Sequence, residues 1–89
     1  MYRILIAEDE VKIAAFMEKG FKKQRFATAV AEDGPQALLM ATESEFDLLL
    51  LDLGLRAIDG MTLLRELRHR GEQPPIIVIM PRTYQQELL

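Results

Sequence analysis

Residues 46–52 read Phe46-Asp47-Leu48-Leu49-Leu50-Leu51-Asp52, a leucine run closed by a carboxylate. A short segment that is apolar at consecutive positions has no side to offer to water. It therefore reads as a strand buried on both faces, as in parallel sheets covered by helices. Its last residue, Asp52, is then delivered to the carboxyl edge of the sheet, where α/β folds place ligands. Tyr2-Arg3-Ile4-Leu5-Ile6-Ala7 repeats the pattern and runs directly into Glu8-Asp9-Glu10. Two buried strands thus end in acid.

The segments around these strands alternate in period. Ile13, Phe16, Met17, Gly20 and Phe21 fall on one helical face, which predicts a helix over 11–24 with Asp9 as its N-cap. Ala27-Thr28-Ala29-Val30-Ala31 predicts a second strand. Asp33-Gly34-Pro35 then supplies a cap and a first-turn proline for a helix over 35–44 that buries Ala37, Leu38 and Ala41. Asp59-Gly60 opens a third helix, with Leu63, Leu64 and Leu67 facing inward, Arg65, Glu66, Arg68 and Arg70 facing water, and Gly71 as its stop. Pro74-Pro75 breaks the chain before Ile76-Ile77-Val78-Ile79-Met80, a fourth buried strand. Strands and helices alternating at these lengths imply a parallel sheet with right-handed crossovers, hence an α/β fold.

Composition narrows the function. A chain of 89 residues holds one domain, and 49% hydrophobic content supports a packed core. A net charge of −3 and a pI near 5.1 argue against direct nucleic-acid binding. Lys19, Lys22, Lys23 and Arg25 cluster at the end of the first helix, where cations complement the helix dipole. The absence of cysteine removes disulfides and thiolate metal sites, and no apolar stretch approaches the ~18 residues of a membrane span. A cytoplasmic, soluble location is expected.

Asp9 and Asp52 are too far apart in the chain to meet through a loop, so only the sheet can join them. If the first strand lies between the second and third, winding reverses there and a crevice opens between the two acids. Clustered carboxylates repel unless a cation offsets them, and Mg²⁺ fits because it takes oxygen ligands and needs only one or two carboxylates. Asp52 could then act as a nucleophile. Duller readings stay open at this point. The acids Glu8 to Glu10 could serve only the helix start, and Asp52 could be a turn residue. Asp59-Gly60 reads as turn and cap chemistry, His69 as surface, and the methionines as core filling.

Ile4-Leu5-Ile6-Ala7-Glu8-Asp9-Glu10, Ala31-Glu32-Asp33-Gly34, Leu51-Asp52-Leu53-Gly54-Leu55 and Asp59-Gly60-Met61-Thr62-Leu63-Leu64-Arg65 occur in this order. Together they resemble the receiver domain of bacterial two-component response regulators, most closely the winged-helix transcription-factor subfamily. The resemblance implies a flavodoxin-like doubly wound sheet of order 2-1-3-4, in one truncated receiver domain over residues 1–89. It makes Asp52 the phosphoacceptor, supplied by a histidine kinase or a phosphotransfer protein. It makes Asp9 a direct Mg²⁺ ligand, Glu8 a ligand acting mainly through water, and the Gly54 carbonyl the third protein ligand. Such a domain assists its own phosphorylation without being an enzyme in the usual sense.

The chain departs from the family pattern in three places. Met80 occupies the switch position, where the family has Thr or Ser, and a thioether donates no hydrogen bond; Thr83 lies three residues further on. Arg56 stands where proline is usual. The chain ends at Leu89, before the family's fifth strand, its lysine and the last helices. Output switching is therefore expected to be impaired, and the open edge of strand four is expected to support a homodimer. The alternatives are a receiver-like interaction module independent of phosphate and a phosphoaspartyl hydrolase, whose usual second aspartate would fall at Gly54.

Overall fold

The computed structural model describes residues 2–52, 60–71 and 75–79. In chain order it contains β1 (Arg3–Ala7), α1 (Val11–Lys23), β2 (Ala27–Ala31), α2 (Gly34–Glu43), β3 (Leu48–Asp52), α3 (Gly60–His69) and β4 (Ile76–Ile79). The four strands form one parallel sheet in the order β2-β1-β3-β4, the order that the family resemblance implies.

The apolar strands β1 and β3 have the predicted cause, whereas β4, predicted to be buried, leaves Ile77 52% exposed, because α1, the helix on that face among the described residues, packs over Ile4, Ile6 and Leu50. Leu5, Ala7, Leu49 and Leu51 pack with Ala37 and Ala41 of α2 and Leu63 and Leu67 of α3. The alternate residues Ile4, Ile6 and Leu50 face the other side, against Met17 and Phe21 of α1. Because side chains alternate along a strand and both faces are covered, neither set tolerates a polar residue. No helix among the described residues is long and apolar enough to cross a membrane.

Local signals set the ends of the elements. Asp33 caps α2 by accepting the Gln36 N–H at 2.8 Å, and Gln36 Oε1 reaches back to accept the Glu32 N–H at 2.7 Å. Gly71 ends α3 at φ 79°, with its N–H donating to the Arg68 carbonyl at 3.1 Å. β3 begins at Leu48, after Phe46 and Asp47. Asp47 exchanges bonds with Arg3 instead, its side chain accepting the Arg3 N–H at 2.6 Å and its own N–H donating to the Arg3 carbonyl at 2.8 Å.

The first helix departs from expectation twice. Its N-cap is Glu10, without a side-chain cap bond, and not Asp9, because the chain bends at Asp9 and Glu10 is still extended (φ −86°, ψ 111°) before the helix begins. Its buried side runs through Ala14, Met17 and Phe21, while Ile13 and Phe16 of the predicted face are 42% and 79% exposed. A small residue at Ala14 lets the helix lie close to the sheet, which rotates the neighbouring Ile13-Phe16-Gly20 line sideways, away from the strands.

Candidate metal centre

β1 delivers the first two acids. Pairing with β2 continues one residue past the strand, as the Glu8 N–H donates to the Ala31 carbonyl at 3.0 Å. Parallel pairing of Ala7 with Leu51 then sets Glu8 beside Asp52, the last residue of β3. Glu8, Asp9 and Asp52 each offer a carboxylate oxygen, and the three oxygens lie within 4.8 Å of one another. Glu8 is 4% exposed, whereas Asp9 and Asp52 are half-buried.

Sequence reasoning assigned Glu8 a secondary part; the structure makes it the buried member. Its carboxylate accepts the Glu10 N–H at 3.1 Å, which satisfies a free donor at the start of α1. Burial nevertheless pushes its pKa from 4.5 to about 7, and hydrogen bonding and charge from Asp52, with hydrogen bonding from Asp9, push the same way. The Glu10 N–H opposes that shift. A buried acid held beside two others gains from a nearby cation.

The donor set is all oxygen, with no sulfur or imidazole in the cluster. That set suits a hard divalent ion such as Mg²⁺, which favours carboxylates and water. The Gly54 carbonyl, Arg56, Met80 and Thr83 lie outside the described residues. His69, as expected, sits exposed on α3. Sequence reasoning missed two further acids. A cavity of about 190 Å³ opens beside Glu8 and Asp9, and Glu18 and Glu32 also line it. The signal for Glu32 was its position just past the end of β2, at the same sheet edge as the other acids.

A parallel doubly wound sheet with acids at the point where winding reverses defines a flavodoxin-like α/β protein. The chain belongs to the response regulator receiver domain family, which matches residues 4–87. The transcriptional regulatory protein PrrA of Mycobacterium tuberculosis is 32% identical over 81 residues, covering 91% of this chain and 35% of PrrA. The chain thus spans about a third of the length of such curated relatives. The Francisella response regulator 1452 receiver domain superposes with a TM-score of 0.90 at 29% identity, covering 98% of this chain and 72% of that one. Response regulator TrrA of Thermotoga maritima, in complex with Mg²⁺ and a beryllium fluoride, superposes with a TM-score of 0.88 at 27% identity, covering 99% and 77%. TrrA has also been solved in complex with the histidine kinase ThkA.

Proposed function

We propose that Asp52 accepts a phosphoryl group from the phosphohistidine of a histidine kinase or phosphotransfer protein, within one receiver unit spanning residues 1–89 in the cytoplasm. The carrying observation is that three carboxylates converge at the carboxyl edge, with Asp52 half-buried at the end of a buried strand. The rigid strand holds the nucleophile in place, and its partial exposure leaves it open to a donor. A carboxylate oxygen of Asp52 forms the new P–O bond as the P–N bond to imidazole breaks. The departing nitrogen keeps the electron pair and takes up a proton, leaving an acyl phosphate. Glu8, Asp9, Asp52 and the Gly54 carbonyl are the residues proposed to hold Mg²⁺. The bound ion supplies positive charge against the acids and the incoming phosphoryl oxygens.

With Met80 at the switch position, the phosphorylated form lacks the hydroxyl donor that would couple it to a conformational change. The reading therefore includes phosphorylation with weak output. It also includes self-association of the chain through the outer edge of β4, and neither direct nucleic-acid binding nor membrane insertion by this segment.

Incubation with phosphoramidate and MgCl₂, followed by intact-mass spectrometry, tests the central claim. One phosphoryl group should be added to the unmodified chain and none to Asp52→Asn, with addition suppressed by EDTA. Equal labelling of Asp52→Asn would remove Asp52 from the role.

A further inference from the structure

Among the described residues, Glu32 is an exposed carboxylate that lines the cavity beside the acids. Glu18 accepts the Thr28 hydroxyl at 2.7 Å and pairs with Lys22 at 3.8 Å, so it is engaged in tying α1 to β2. Glu32 enters neither ion pair recorded among the described residues, Lys22 with Glu18 and Arg70 with Glu66. Its position is nonetheless well set. Pairing of Ala7 with Ala31 and the Glu8 bond to the Ala31 carbonyl bring it alongside Glu8, and Gln36 Oε1 holds its N–H.

We infer that Glu32 is a positioning residue for the Mg²⁺ site, accepting hydrogen bonds from metal-bound water on the cavity side. Mg²⁺ keeps several of its waters when a protein supplies only a few ligands. Those waters need acceptors, and outer acceptors orient a metal's inner shell. At roughly 30 Å³ per water, a cavity of about 190 Å³ has room for several. The bland alternative is a solvated acid that acts on the ion only as a distant charge. The two differ in size and in salt response. Loss of an outer-shell acceptor weakens metal binding by about 10-fold or more, whereas a remote charge contributes less and is screened by salt.

This inference rests on the proposed Mg²⁺ reading, and the experiment separates the two. The complete chain is titrated with MgCl₂ at low and at high KCl, and amide chemical shifts report the dissociation constant. Metal-free spectra confirm that each variant is folded. Glu32→Ala should weaken binding by about 10-fold or more at both salt levels. Glu32→Gln, which keeps an acceptor oxygen, should lose less. Glu45→Ala, an exposed acid before β3 at the opposite edge of the sheet, should match the unmodified chain. A smaller loss in Glu32→Ala, or one erased by salt, overturns the inference. If that happens while Asp9→Asn abolishes binding, only the part given to Glu32 falls. An unmodified chain with no Mg²⁺ response, or an Asp9→Asn variant that keeps it, removes the metal reading as well.

Discussion

Glu8 decides how the site responds to protons. Its folded pKa of about 7 stands above the ordinary 4.5, chiefly because it is buried and then because of Asp52 and Asp9. Below pH 4.5 the folded and unfolded states both carry the proton, and stability is complete. Between 4.5 and about 7 the unfolded chain releases its proton while the folded one retains it, so stability falls as pH rises. Above that range the folded state has ionised too, and the loss of stability persists without metal. Urea unfolding in EDTA should therefore show the unmodified chain losing stability relative to Glu8→Gln as pH rises from 4.5 to about 7. Saturating Mg²⁺ should restore the unmodified chain more than the variant, because the ion binds the ionised acid. A difference independent of pH would contradict the buried-acid account. That Glu8, Asp9 and Asp52 gather at one edge of the sheet was legible in the sequence, since each follows an apolar run. That Glu8 is the buried one was not, because three adjacent acids look alike until the chain direction after β1 assigns them their sides.

The elements begin and end where local chemistry directs, with one compromise at the close of α1. The Phe26 N–H bonds the Phe21 carbonyl at 3.1 Å and the Arg25 N–H bonds the Lys22 carbonyl at 3.0 Å, a Schellman closure sealed by the Phe21 and Phe26 rings 6.1 Å apart. That closure forces Arg25 to φ 66°, a left-handed conformation in which a Cβ is strained. Arg25→Gly should accordingly be more stable than Arg25→Ala by about 1 kcal/mol in urea unfolding, both variants having lost the same charge. Equal midpoints would show that the strain is absent. Neighbouring ends were easier to read: Asp33 and Gly71 are the residue types their positions require, whereas Arg25 gives no such signal. The rotation of α1 was also hidden. Ile13, Phe16, Met17, Gly20 and Phe21 form a stripe wide enough for two orientations, and only packing of Ala14 near the sheet selected the one that exposes Phe16.

At the scale of the whole molecule, coverage of the sheet is uneven. α2 and α3 cover one face, while α1 is the helix packed on the other among the described residues. β4 pairs with β3 on one side, and Ile77 is 52% exposed. Among the described residues β4 has no neighbour on its outer side, and we propose that this uncharged apolar edge pairs with another copy, most simply about a two-fold axis. Sedimentation of this chain at high micromolar concentration should show a dimer, and Ile77→Lys should shift it toward monomer without loss of fold. A folded monomer of the unmodified chain under those conditions would end the proposal of a β4 interface. The sequence by itself determined the alternation of strands and helices, the burial of both faces of β1 and β3, and the acids at the strand ends. Each of these is written in local periodicity and in residue type. Only the tertiary structure decided that three carboxylate oxygens fall within 4.8 Å, that Glu8 is buried, and that Glu32 reaches the same cavity. Those facts depend on strand order and register between segments distant in the chain, which packing of the whole sheet selects and no single segment encodes.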